Sequence, residues 1–435
     1  MRKKWKLIAY LAGYLILAVL LAAVQPITGD ESPPDEGGRY LIPQYIYRHG
    51  ALPEGPEEEI RIPSYGFSYI LYNAFPYIMM GLAMQAAGIF ASDPAALLLT
   101  ARMVNVLAGL AMAYIIYRLG SLLFRKERDR WLFRLAVTSQ PMNLYVHSYV
   151  NTDSFCMLST ALIVYALVLL YRNGPGMRNC LLLAGGVALC ALSYYNAYGY
   201  ILAAAVLFIA YFAPDQRGGI TRYDMKGFLK YGGLTAGLVL AGISWWFIRQ
   251  GIVLQGDFLG LRTRDEMTAA YGIASVQKSN TFEGQGISFF GMIAEIIRRR
   301  LPLKLAGTLI AAYGSPMSVR PADWFYIIYA ITWGAGFAGC LASLVRREKR
   351  EWKIRLFHGC MVFCILLPLA LFLRYCYSYD YQEQGRYLLP ALVPAMTYVA
   401  KGISRFPRWV CYGCISVILF CAAWQVFAVA LPAFM

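Results

Sequence analysis

Stretches of fifteen or more mostly apolar residues recur along the whole of the 435-residue chain. No other feature constrains its folding as much. A helix needs about 20 apolar residues to cross a bilayer, and inside the hydrocarbon every backbone polar group must be satisfied within the segment itself. Eleven candidate spans run over 7–24, 97–123, 131–147, 155–171, 180–195, 198–213, 230–249, 324–345, 356–374, 387–401 and 409–431. Residues are 59% apolar and only 15% charged, against ~25% charged in a soluble domain. This excludes a soluble globular enzyme, a disordered chain and a nucleic-acid-binding domain. The chain reads as one integral membrane domain over 1–435, all-α and polytopic.

The balance of 40 Lys+Arg against 24 Asp+Glu, a formal net charge of +16, is explained by position. The bases cluster in short loops between apolar runs. Loop 124–130 holds four and loop 346–355 holds six. Arg172 and Arg178 lie in the next short loop, Arg217, Arg222, Lys226 and Lys230 in 214–230, and Lys401, Arg405 and Arg408 in 401–408. Loops 148–154 and 195–198 have none. Basic loops face the cytoplasm, so the N-terminus is expected there. Segments 25–96, 250–323 and 375–386 are then expected outside, the first two as large outer loops. The start, MRKKWK followed by an apolar run, reads as a retained signal anchor, with a weak cleavage site at Ala22-Ala23-Val24-Gln25.

Residues 67–90 are long enough to cross, but a single crossing would carry the next three basic loops outside. They are expected instead as a helix or broken hairpin in the membrane surface, a position that Pro76 and the Tyr residues at 65, 69, 72 and 77 suit. The stretch 287–312 is similar and places Arg298, Arg299 and Arg300 outside, against the rule.

Polar chemistry collects at that outer end. Segment 25–66 contains eight acids and three bases. Within it, Asp35-Glu36 follows Pro33-Pro34, which stiffens the chain, and precedes Gly37-Gly38, which permits close backbone approach. A partly desolvated carboxylate there would have a raised pKa and could take a proton from a hydroxyl; a solvated acidic loop is the plainer alternative. Asn151-Thr152-Asp153-Ser154 either caps a helix or points polar groups into a cavity. In Gln382-Glu383-Gln384-Gly385-Arg386-Tyr387, Arg386 either binds a phosphate at headgroup level or pairs with Glu383, Asp380 or an acid of the first loop. Arg298–Arg300 could serve the same phosphate or bind anionic lipid. The 33 tyrosines cluster at outer ends, as interfacial belts or as platforms for sugars. The 10 Cys lie mostly inside apolar runs and the 3 His do not join them. Cys411-x-x-Cys414 and Cys360-x-x-x-Cys364 therefore read as packing rather than as metal or redox sites. No Walker loop, dinucleotide fingerprint, zincin motif or nucleophile elbow occurs.

Three motifs fall in one order: Pro33-Pro34-Asp35-Glu36, Tyr149-Val150-Asn151-Thr152-Asp153-Ser154, and Gln384-Gly385-Arg386-Tyr387-Leu388-Leu389-Pro390. In this the chain resembles the bacterial polytopic family labelled domain of unknown function 2142, itself similar to the GT-C membrane glycosyltransferases. Tyr313-Gly314 through Trp324 adds to the likeness, which spans 1–400. The resemblance implies a GT-C-like bundle of about eleven transmembrane helices with juxtamembrane helices on the outer face of a bacterial plasma membrane. It implies catalysis by Asp35 or Glu36, with Arg39, Asn151, Asp153, Gln384, Arg386 and Tyr387 around the substrate. The donor would be a polyprenyl-phosphate-linked sugar, the acceptor a cell-envelope glycan, and membrane lipid a partner. Some members bind a divalent cation near the acid. The family pattern often has a His after the acid pair, where this chain has Gly37-Gly38-Arg39-Tyr40. A lipid or glycan transporter and a non-catalytic assembly partner are the alternative functions. A transporter should show internal repeats and ionisable groups at midplane; no repeat is evident and such groups are nearly missing from span centres.

Overall fold

The computed structural model describes residues 2–72, 74–214, 222–315, 318–345 and 351–435. Arg217 and the 346–350 part of the most basic loop lie outside the described residues. Among those described, the chain is helical without a strand; one isolated bridge joins Tyr313 to Val319. In chain order the helices are α1 (Arg2–Val24), α2 (Glu36–His49), α3 (Phe75–Gly88), α4 (Pro94–Leu123), α5 (Glu127–Thr138), α6 (Pro141–Val146), α7 (Asp153–Asn173), α8 (Met177–Ala191) and α9 (Tyr198–Tyr211). They continue with α10 (Met225–Val253), α11 (Leu261–Tyr271), α12 (Phe289–Arg298), α13 (Leu301–Ile310), α14 (Asp323–Val345), α15 (Trp352–Ser378), α16 (Leu392–Ile403), α17 (Arg408–Trp424) and α18 (Leu431–Phe434).

Each of the eleven apolar runs is helical. Seven described helices are long and apolar enough to cross a bilayer, with α8, α9 and α13 shorter. The run 131–147 is broken into α5 and α6 at Ser139-Gln140-Pro141, where the proline cannot continue the hydrogen-bond ladder. The run 387–401 opens as a 3-10 turn over Gly385–Ala391, containing Pro390, before α16 begins. Helix α7 is the axis of the bundle, 83% of its apolar window being buried against neighbours such as α4 and α8; α10 lies at the edge, with 6% buried.

Alternate helix ends gather the charges. At one end Lys6 pairs with Glu127, Arg128 reaches the Ser404 carbonyl at 3.2 Å and Lys353 the Tyr211 carbonyl at 2.8 Å. The described residues of 25–93 and 254–322 pack at the opposite end. There Arg249 donates to the Pro53 carbonyl at 2.8 Å, and the Ser315 amide to the Asp30 carbonyl at 2.7 Å.

Residues 67–90 do not make a crossing helix. They form a 3-10 turn, Tyr69–Leu71, and then α3, whose 14 residues reach roughly 21 Å at 1.5 Å per residue, short of the ~30 Å hydrocarbon core. Helix α3 packs on α2 at Gly81, where a Cβ would come within 2.5 Å of the Ile46 side chain. Residues 287–312 likewise form a short hairpin, α12 and α13, with Arg300 at the corner in the left-handed region at φ 55°.

Candidate active site at one end of the bundle

The Pro33-Pro34 pair delivers the chain into a tight turn. Asp35 occupies the left-handed region, φ 63°, a conformation Asp tolerates better than most residues. Helix α2 starts at once, its Arg39 amide bonded to the Asp35 carbonyl at 3.0 Å. Gly38 lets α2 lie against Ile62, whose Cγ1 would sit 2.9 Å from an added Cβ. Gly37 faces open space.

This turn separates the two acids. Glu36 is fully buried and points into the scaffold. Its carboxylate receives two hydrogen bonds from Arg102, at 2.9 and 2.6 Å, and one from the Val150 amide at 2.8 Å. Arg102 also donates to the Ala22 and Gln25 carbonyls at 2.9 and 2.8 Å. One buried pair thus ties the end of α1, the start of α2, α4 and the 146–152 turn together. The carboxylate of Glu36 is used up by these contacts.

Asp35 turns the other way. Its side chain keeps 18% exposure and pairs with the Arg386 guanidinium. Arg39 Nη2 stands 3.8 Å from the same oxygen, and the Tyr69 hydroxyl donates to the carboxylate. Burial by itself would push this carboxyl up. The charges of Arg386 and Arg39, with the hydrogen bonds, outweigh burial and hold it below the ordinary carboxylate range. The raised pKa expected from the sequence is therefore corrected: partial desolvation loses to two guanidiniums. Asp380 moves the opposite way, raised by burial against a hydrogen bond from Gln382, with the nearby Asp35 charge adding to the rise.

Arg386 is buried, with 2% side-chain exposure. Its Nε donates to Gln384 at 2.6 Å and its Nη1 to the Tyr149 hydroxyl at 3.1 Å, with Asp153 at 3.7 Å. Of the two partners expected for it, the structure shows an acid of the first loop. Asn151 is also buried and serves the scaffold, donating to the Val146 and Tyr149 carbonyls and accepting from Ser154 at the start of α7. Asp153 meets Arg386, while Asn151 turns away. Arg298 and Arg299 both clasp Glu295, so these charges are spent locally.

Beside Asp35 lies a chamber of about 170 Å³. Tyr65, Tyr69, Tyr72, Tyr77, Tyr194, Tyr195, Tyr375 and Tyr387 supply most of its wall, with Phe67, Phe372, Thr152 and Asn196. Its charged lining residues are Arg39 and Arg264. It adjoins a vestibule of about 440 Å³ that shares Tyr65, Phe67, Tyr72, Tyr375 and Arg264 and extends to Lys278, Arg374 and Asp380. Arg39 donates to Thr152 at 3.2 Å and lies 4.5 Å above the Tyr69 ring.

Among the described residues no group of three His, Cys, Asp or Glu side chains gathers to hold a metal ion. Asp35 and Asp153 converge on one guanidinium. That donor set does not fit a divalent cation.

The sequence pointed to Asp35, Arg39, Asp153, Gln384, Arg386 and Tyr387, which the fold brings together. It did not single out Arg102 or Arg264. An arginine inside an apolar run was the available signal for Arg102, because ionisable groups in spans are costly and retained for a reason. Arg264 sits in a polar loop helix with nothing in its spacing to mark it.

A family model described as "Predicted membrane protein (DUF2142)" matches residues 47–395. The chain belongs to that family. Its fold is also that of GT-C membrane enzymes. The oligosaccharyltransferase of Archaeoglobus fulgidus, tethered to an acceptor peptide, superposes with a TM-score of 0.54 at 14% identity, over 99% of this chain and 55% of that one. The same enzyme in complex with an inhibitory peptide and a dolichol-phosphate gives 0.54 at 13% identity, over 99% and 56%. The arabinofuranosyltransferase AftD from mycobacteria gives 0.52 at 14%, over 96% and 26%. The chain thus spans about half the length of the archaeal enzyme. No curated protein matches it in sequence.

Proposed function

We propose that this family member is a membrane glycosyltransferase that moves a sugar from a polyprenyl-phosphate donor to a hydroxyl of a cell-envelope acceptor. The reaction takes place at the extracytoplasmic end of a bacterial plasma-membrane bundle whose N-terminus is cytoplasmic, with Asp35 as general base. The observation that carries this reading is the placement of Asp35, partly exposed, held between Arg386 and Arg39 and bonded to Tyr69, of which Arg39 and Tyr69 line a tyrosine-rich chamber. Tyrosine faces suit sugar rings. A lipid phosphate as leaving group agrees with the archaeal enzyme of like fold, which was captured with a dolichol-phosphate.

In the proposed step the acceptor oxygen attacks the anomeric carbon as the bond from that carbon to the phosphate oxygen breaks. The acceptor proton passes to Asp35, and the polyprenyl phosphate departs with the bonding electrons. One displacement inverts the anomeric centre. Asp35 is ionised at neutral pH, so it stands ready to accept. Its basicity is modest, but the acceptor proton grows acidic as the new bond forms, which a positioned carboxylate can exploit. Glu36 has a positioning role, fixing the turn from which Asp35 projects. The test is transfer from polyprenyl-phosphate sugars by purified Asp35→Asn in nanodiscs. Transfer should fall about 10²–10⁴-fold while the variant stays folded. Undiminished transfer would remove Asp35 from the chemistry. A folded wild-type protein that moves no sugar from any such donor would favour the non-catalytic assembly partner.

A further inference from the structure

The chamber wall contains two guanidiniums and, among the described residues, no carboxylate. Arg39 comes from the first loop and Arg264 from α11 in the second. Acids stand outside this wall: Asp35 and Asp153 meet Arg386, and Asp265, Glu283 and Asp380 line the vestibule. Arg39 Nε is buried and has no hydrogen-bond partner. Arg264 has 9% side-chain exposure, with its Nη1 3.4 Å from the Tyr72 hydroxyl and its plane 4.6 Å from the Tyr379 ring. Its Nε and Nη2 both bond to Asp265 Oδ1, at 2.7 and 2.5 Å; Asp265 is 62% exposed, so this carboxylate competes for Arg264 while water weakens its hold.

We infer that Arg39 and Arg264, which both line the chamber, form a two-sided anion site that takes a phosphate group there. This assigns the anion to the two cations that line the chamber, and leaves Arg386 as the buried partner of Asp35. Guanidiniums suit this task because their fork of donors matches phosphate oxygens. The inference rests on the glycosyltransferase reading only for the lipid-linked source of the phosphate; the site itself follows from the charges on the wall. Because Arg264 and Arg39 belong to different loops, a bound phosphate would bridge those loops.

Binding is measured on the full-length protein in detergent micelles with farnesyl phosphate, inorganic phosphate and, as neutral control, farnesol. Farnesyl phosphate should bind more tightly than farnesol. Arg264→Gln should weaken it about tenfold or more, and Arg264→Lys should restore part of the loss. Asp265→Asn removes the competing carboxylate and should tighten binding, a gain that a purely structural role for Arg264 does not supply. Arg264-dependent binding of farnesyl phosphate alone identifies a lipid-linked source; Arg264-dependent binding of inorganic phosphate as well identifies free phosphate as sufficient. Equal binding by wild type and Arg264→Gln, farnesol binding as tight as farnesyl phosphate, or no gain in Asp265→Asn overturns the site. If the binding pattern holds while no sugar is transferred, the anion site stands and the glycosyltransferase reading falls.

Discussion

Asp35 and Arg386, 351 positions apart in the chain, share an ion pair at one end of the bundle. The carboxylate comes from the turn after α1 and the guanidinium from the 3-10 turn before α16. Arg39, Tyr149, Asp153 and Gln384 complete the cluster.

Groups in one network are not independent. Asp35→Asn and Arg386→Gln should each destabilise the protein, and together by less than the sum. A coupling of about 0.5–3 kcal/mol is expected for neighbours of this kind. Unfolding midpoints of the two single variants and the double variant in one detergent provide the measurement. Additive losses would mean that the pair contributes no mutual stabilisation.

The Glu36–Arg102 pair should behave as scaffold. Removing one partner of a buried pair leaves an uncompensated charge, which costs about 3–5 kcal/mol. Glu36→Gln or Arg102→Met should therefore lower the unfolding temperature sharply. The double change Glu36→Leu with Arg102→Met removes both charges and should recover much of the loss. A Glu36→Gln variant with native stability and lost turnover would instead place Glu36 in the chemistry.

The acid limb of activity should follow Asp35. Its folded pKa lies below the unfolded value, so its contribution to stability is present above the unfolded pKa and disappears as pH falls through the folded one. Transfer should accordingly persist below the ordinary carboxylate pKa of about 3.9 for as long as the fold survives. Arg386→Gln removes the foremost charge lowering that pKa and should move the acid limb upward. A pH–rate profile of the two proteins decides; coincident limbs would assign the titration to another group.

Sidedness is open to direct labelling. Glu58 is exposed at the site end, and Arg125 is exposed at the basic end. Glu58→Cys should react with a membrane-impermeant thiol reagent in intact cells, and Arg125→Cys only after permeabilisation. The reverse pattern would place the site in the cytoplasm and end the envelope reading.

Much of the architecture was legible from local composition. Apolar runs became helices because hydrocarbon tolerates little else, and 67–90, which the charge argument kept out of the crossing set, forms a 3-10 turn and the 14-residue α3 rather than one long helix. The broken run 131–147 was legible less well: Pro141 is visible, but the interruption rests on buried polar contacts such as Gln140 with the Asn143 amide at 2.5 Å. At the site, Asp35 and Glu36 looked alike in sequence. A left-handed turn at Asp35 sends one carboxylate to Arg386 and the other into Arg102.

The sequence alone determined the solvent this protein lives in, the number of apolar runs and the end of each that carries charge, because those depend on hydrophobicity summed over neighbouring residues. Only the tertiary structure decided which acid meets which arginine, that Asp35 has a lowered rather than raised pKa, and that Arg264 reaches the chamber. Electrostatic energy depends on separation in space and on burial, and residues hundreds of positions apart acquire both only when the bundle is packed.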